Sequence, residues 1–219
     1  YCTDDSTVKT VGSNSHSGEM SPRNLLVSTI TDELRLATNL SSRVIGISLK
    51  DRASILPAGH MPTGSYWFDD ASGKFITSTY YMTELPAWVV KFNEQKDPEK
   101  LTAEGWNTLY PIKTYTASSA DDVPWEGKFK GETTTSFPHN VQNIYKDDHS
   151  VIRKTPFGNT LTLDLAAAAI DAYKLGSGPS TDFLTINCAS TDYVGHMFGI
   201  NAIEIEDVYL RLDKDLAMF

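Results

Sequence analysis

Cysteine is scarce in these 219 residues: Cys2 and Cys188 are the only two. They allow at most one bridge and leave the redox compartment open. Cys188 lies in an apolar run and reads as a buried free thiol. No apolar run approaches the roughly 20 residues that a membrane helix needs. Cations are in deficit, with 19 Lys and Arg against 28 Asp and Glu and a net charge of -9. That balance argues against nucleic acid as a partner, because contacts along a phosphate backbone need an excess of Lys and Arg. If this chain handles phosphate, it does so with a few placed cations or a metal. Absent too are a P-loop, a G-x-S-x-G elbow, a CxxC pair and an HExxH helix. There is no internal repeat and no low-complexity tract.

What remains is globular material, 40% hydrophobic and 21% charged, with 14 Gly and 10 Pro. This length suits one good core, or one core with an elaborated cap. The chain opens on Tyr1 instead of Met, and Phe219 falls inside a helical pattern that has no stop. It reads as an excised piece of a longer protein, with any signal peptide outside it.

Residues 1 to 20 are polar and form a connecting segment. Ser21 then suits an N-cap with Pro22 at the first helical position. Leu26, Ile30, Leu34 and Ala37 recur at helical spacing, so 22–39 is expected as an amphipathic helix with Asp32 and Arg35 on its other side. Residues 42–49 (SRVIGISL) are strand-like, β-branched at Val44, Ile45 and Ile47. A second helix over 159–175, capped by Asn159 or Thr160 and stopped at Gly176, precedes a second apolar strand over 182–189. Two such units imply a mostly parallel sheet flanked by helices. Between them, PAGHMPTG opens a Gly/Pro-punctuated segment with a hairpin (YWFDD, ASGK, KFITSTYY) and a short helix over 84–95. About sixty aromatic-studded residues follow, with Trp106, Tyr110, Trp125 and Phe137. The expected division is an α/β core from 1–56 and 156–219, with an inserted α+β cap at 57–155. A last helix starts near Ala202, where Asp207 and Arg211 have the spacing of a helical ion pair.

Two places could carry chemistry. The first strand ends in Leu49-Lys50-Asp51-Arg52. If the extended conformation persists, Lys50 and Arg52 point the same way, Asp51 points opposite, and two adjacent cations invite an anion. Arg offers a flat fork for phosphate oxygens and Lys a point charge. The plainer alternative is a solvated strand end with an Asp51–Arg52 surface pair. The second strand is expected to deliver Asp192 and His196 into a loop beyond its carboxyl end, where open α/β sheets place their sites. A carboxylate and an imidazole are donors that Zn²⁺ accepts, yet a catalytic zinc usually has three protein ligands. Alone, this spacing also fits two solvated residues. His16, His60, His139 and His149 stand at no ligand-like spacing from one another; packing or surface roles suit His60 and His139. Asp147, Asp148 and His149 read as a solvated polar run.

The stretches SPRNLLVSTITDELRLAT, SLKDRASILPAGHMPTG, YWFD, GKFITSTYY, STDYVGHMFG and IEIEDVYLRLDKDLA together resemble the PafA-like alkaline phosphatases, phosphate monoesterases of the alkaline phosphatase superfamily. The likeness runs across essentially the whole chain and is most specific in SLKDR and STDYVGH. It implies a zinc-dependent, periplasmic or secreted hydrolase with two zinc ions, acting on a small-molecule phosphate monoester. Asp192 and His196 would serve one zinc, and Lys50 and Arg52 would contact the phosphoryl oxygens. The resemblance puts the Thr nucleophile and the remaining ligands outside this chain; Thr3, Thr7 and Thr10 match no nucleophile motif. The isolated piece would then be inactive and bind zinc weakly.

A phosphodiesterase, phosphonate hydrolase or sulfatase of the same superfamily is the near alternative. The Lys50/Arg52 pair argues against it, since extra charge on a dianionic monoester rewards two cations. A non-catalytic binding domain that uses the aromatic-rich cap is the alternative of another class.

Overall fold

The structure, a computed structural model, describes residues 1–219. They gather into two compact units. The first comprises 1–95 and 164–187, and the second 96–163 and 188–219.

The first unit is built on one five-stranded sheet. Its strands are β1 (Thr10–Val11), β2 (Val44–Ser48), β3 (Gly64–Asp69), β4 (Lys74–Ser78) and β5 (Phe183–Asn187), in the order β1-β4-β3-β2-β5. β2 is parallel to both neighbours, with Ile45 opposite Gly64 on one side and Leu184 on the other. All five of its residues are buried, as the β-branched run predicts for a strand covered on both faces. The expected hairpin forms as β3 and β4, with Trp67 opposite Ile76 and Phe68 opposite Phe75. Asp69 closes its turn by accepting from Ala71 N–H at 3.2 Å and Ser72 Oγ at 2.7 Å.

This pairing relocates the boundary expected at residue 57. β3 hydrogen-bonds directly to β2, so 57–95 belongs with the sheet and the second unit starts at 96. β5 also departs from expectation. It is the outer strand beside β2, and Phe183 to Ile186 are only half-buried.

Helix α1 (Ile30–Ala37) is shorter than the periodicity suggests and turned the other way. Thr29 forms a capping box with Asp32, so the helix starts there instead of at Pro22. Its buried residues are Thr31 and Asp32, whereas Leu26 is 93% and Ile30 73% exposed. The cause is the Asp32 carboxylate. It accepts from the backbone N–H groups of Thr29 (3.0 Å), His60 (2.7 Å) and Met61 (3.2 Å), and from His60 Nδ1 at 2.9 Å. A buried acid this well satisfied holds its own face inward.

Helix α2 (Asp51–Ala58) packs on β2. A side chain at Gly46 would stand 2.2 Å from the Ser54 carbonyl oxygen, so this close approach requires glycine. Ser54 Oγ donates to Gly46 O at 2.9 Å. Helix α3 (Ala87–Glu94) contacts β4.

The second unit holds helices α4 (Asp97–Thr102) and α5 (Val141–Tyr145), and two 3-10 turns at Ile112–Thr114 and His149–Lys154. It also holds the first part of α6 (Phe157–Tyr173), then α7 (Ser190–Phe198) and α8 (Ile203–Met218). Its core is aromatic: Trp106, Phe129, Phe137 and Phe198 pack around His139, with ring centroids 4.7 to 5.3 Å from the imidazole. The expected Asp207–Arg211 pair forms at 2.7 Å. Asp207 does more than pair on its helix. Fully buried, it accepts from Trp106 Nε1 and Leu109 N–H, each at 2.7 Å, and from the Tyr115 hydroxyl.

Candidate functional site

Lys50 and Arg52 flank the first residue of α2, directly past the carboxyl end of central strand β2. Lys50 is the N-cap, with extended backbone (φ -96°, ψ 130°), and Arg52 lies inside the first turn. The strand alternation that would aim both cations the same way therefore stops before it reaches them. Pro57 and the Gly/Pro-punctuated segment it opens suggest a loop, yet α2 runs through Pro57 to Ala58. In its place the two cations frame a helix start, where unpaired N–H groups and the helix dipole favour an anion. The strand end is fastened from both sides: Ser48 Oγ donates to Asn187 Oδ1 and accepts the Lys50 N–H, each at 3.0 Å.

Asp51 is engaged by residues that sequence reasoning passed over. Thr3 Oγ1 donates to its Oδ2 at 2.6 Å, and the Tyr1 hydroxyl donates to its Oδ1 at 3.1 Å. Arg52 donates to that same Tyr1 hydroxyl at 3.4 Å, and its guanidinium carbon lies 5.8 Å from the Tyr1 ring centroid. Burial, with the Asp51 charge second, pushes the Tyr1 phenol above its ordinary value. These residues carry no motif, so only their arrival at Asp51 in the folded chain could have marked them.

In the second unit, Asp192 and His196 stand on α7 itself and not in a loop. Ser190, Val194 and Phe198 form the helix's buried stripe at i, i+4 and i+8, and this turns Asp192 and His196 outward. One turn apart, His196 Nε2 and Asp192 Oδ1 approach to 3.3 Å, with the histidine side chain 80% and the aspartate side chain 55% exposed. They line a groove of about 560 Å³ with Cys188, Thr191, Gly195, Ile200, Ile205 and Tyr209. Asn159, expected to cap α6, instead fastens the start of α7. Its Oδ1 accepts the Ser190 N–H at 3.0 Å, and its Nδ2 donates to Thr191 Oγ1 at 3.1 Å.

As a donor set, one carboxylate and one imidazole on one exposed helix face fit half of a zinc site in chemistry. They are two ligands only; no group of three or more His, Cys, Asp or Glu is placed to hold a metal. Cys188 is free and half-buried, and burial, then the Asp215 charge, raises its thiol pKa. Cys2 is free and exposed, so no bridge forms.

Two other histidines, His60 and His139, take structural places. His60 directs Nδ1 to Asp32 and Nε2 to the Leu25 carbonyl at 2.8 Å. His139 lies between Glu132 and Glu204, each 3.1 Å from a ring nitrogen. With acceptors on both sides, these rings suit the imidazolium form.

The model of the family described as type I phosphodiesterase / nucleotide pyrophosphatase matches residues 37–219. The chain is 60% identical over its whole length to alkaline phosphatase PafA of Elizabethkingia meningoseptica and covers 40% of that protein. It is 57% identical to alkaline phosphatase PhoV of Synechococcus elongatus, again covering all of this chain and 40% of the relative. The crystal structure of wild-type PafA superposes on the whole chain with a TM-score of 0.98 and 60% identity, this chain accounting for 42% of it. The chain thus spans about two fifths of the length of the curated relatives it matches.

Proposed function

We propose a function from one premise: the chain belongs to the type I phosphodiesterase / nucleotide pyrophosphatase family, whose model matches 37–219. The reading is a metal-dependent hydrolase of small-molecule phosphate monoesters, of the alkaline phosphatase kind, of which these 219 residues supply part. The names of the relatives at 60% and 57% identity support it. The observation that carries it is the position of Lys50 and Arg52 around the first residue of α2. Two cations beside helix N–H groups suit the two charges of a monoester better than the single charge of a diester.

Within that reading, Arg52 presents a planar fork to equatorial phosphoryl oxygens and Lys50 a point charge. Their stabilisation acts on charge that grows in the transition state. Asp192 and His196 hold one of two zinc ions together with ligands from outside this chain. When bound, the metal supplies Lewis-acid stabilisation of negative charge on oxygen. The threonine nucleophile also lies outside these residues. A periplasmic or secreted location belongs to the same proposal; no helix here is long and apolar enough to cross a membrane. A substrate-selecting cap also belongs to the proposal, confined to the part of the expected 57–155 segment that lies outside the sheet unit, residues 96–155.

Phosphodiester hydrolysis is the second reading, favoured by the description of the family model itself. The test of the phosphate clamp is turnover of an aryl phosphate monoester by the complete polypeptide. Lys50→Ala and Arg52→Ala are each expected to lower kcat/KM by about a hundredfold or more. Variants that are folded and as active as the parent would remove both residues from the site.

A further inference from the structure

We propose that Tyr1 is a positioning residue for Arg52, holding the guanidinium through its hydroxyl and ring while that hydroxyl is itself anchored on Asp51. The proposal rests on the reading of Arg52 as a phosphate-binding residue. Arg52 follows Asp51 at this helix start, and a guanidinium turned back onto that carboxylate would offer less of its fork to a ligand. Here both Asp51 oxygens are engaged from the N-terminal segment: Oδ2 by Thr3 Oγ1 at 2.6 Å and Oδ1 by the Tyr1 hydroxyl at 3.1 Å. Thr3 is fully buried, and its carbonyl accepts the Ser21 N–H at 2.8 Å, so this segment is fastened to the body of the unit.

The direction of each bond follows from the groups. A carboxylate can only accept and a guanidinium can only donate. The Tyr1 hydroxyl therefore gives its proton to Asp51 and receives Arg52 Nη1 on a lone pair at 3.4 Å. The ring face adds a second hold, with the guanidinium carbon 5.8 Å from its centroid. Arg52 is thereby restrained through one nitrogen and by the seat of its guanidinium carbon over the Tyr1 ring, leaving its other N–H groups for phosphoryl oxygens. Tyr1 needs no contact with substrate to act.

The test is a double-mutant cycle in the complete polypeptide, read with an aryl phosphate monoester. Tyr1 is 62% exposed, so Tyr1→Phe keeps the fold and the ring while deleting only the hydroxyl. It is expected to lower monoester kcat/KM by about 3- to 10-fold, the worth of one hydrogen bond. In the Arg52→Ala background the same change is expected to cost less than about twofold, because the group it positions is gone. Thermal midpoints of parent and Tyr1→Phe should coincide. If Arg52→Ala is strongly impaired but Tyr1→Phe is fully active, or costs the same in both backgrounds, the positioning role is overturned while the clamp stands. If Arg52→Ala is itself fully active, the clamp reading falls and takes this proposal with it.

Discussion

At the scale of single residues, the buried charges are the features least visible in the sequence. His139 was expected only to pack or lie on the surface, and its burial among four aromatic rings agrees with packing. Its two carboxylate partners, Glu132 and Glu204, lie seven and sixty-five positions away, and no local pattern joins them. Burial pulls its pKa down, but the hydrogen bonds to Glu132 and Glu204 outweigh that and lift it to about 9. A raised imidazolium pKa stabilises the folded state fully below the unfolded value, near 6.5, and loses that contribution as pH rises through about 9. Unfolding free energy measured by denaturant titration should therefore fall between pH 7 and pH 10. The fall should be smaller in His139→Gln, and in Glu132→Gln it should be complete at a lower pH. His60, raised mainly by its hydrogen bond to Asp32, acts in the same direction, so each variant is compared with the parent at every pH. A flat profile in the parent would mean that His139 is neutral. Lys50 and Arg52 stood out as two cations past one strand, and Asp192 and His196 as an acid and an imidazole past the other, with the family resemblance implying their roles; Tyr1 and Thr3 reach Asp51, and Asn159 the start of α7, from positions no motif marks.

At the scale of elements, strands and long helices were readable because their periodicity is local. β2, the β3–β4 hairpin and α8 form close to where their patterns lie. Orientation was not readable, because distant partners decide it. α1 shows the difference: the same apolar spacing that predicts a core-facing stripe faces outward, since Asp32 finds its donors at residues 60 and 61. The consequence can be measured by denaturant unfolding of the 219-residue chain. Ile30→Ser at 73% exposure should change stability by no more than about 0.5 kcal/mol. Ile45→Ala, at a fully buried site in β2, should cost about 2–5 kcal/mol. A large loss from Ile30→Ser would show that the stripe is covered after all. The outward helix α7 is the converse case: Asp192 and His196 were expected in a loop, yet the apolar i, i+4, i+8 stripe of Val194 and Phe198 below Ser190 builds a helix that presents them together.

At the scale of the whole molecule, the α/β class was legible from alternating helix and strand patterns, whereas the unit boundary was not. The hairpin joins the sheet through strand pairing with β2, a contact that composition cannot register. The candidate zinc donors in this chain number two, and the chain covers about 40% of its relatives. Elemental analysis after dialysis should accordingly find no stoichiometric zinc in the 219-residue chain and bound zinc in the complete polypeptide. Asp192→Ala and His196→Ala should each lower that metal content. Tight zinc in the short chain would refute a site shared with residues outside it.

The central claim is that Lys50 and Arg52 form a clamp for a doubly charged phosphoryl group. Its most direct test is the ratio of kcat/KM for an aryl phosphate monoester to that for the corresponding diester, measured on the complete polypeptide and on Lys50→Ala/Arg52→Ala. The account predicts a ratio above one that collapses in the double variant, because the second charge loses both its partners. A diester preference in the parent, or a ratio unchanged by removing both cations, would contradict it.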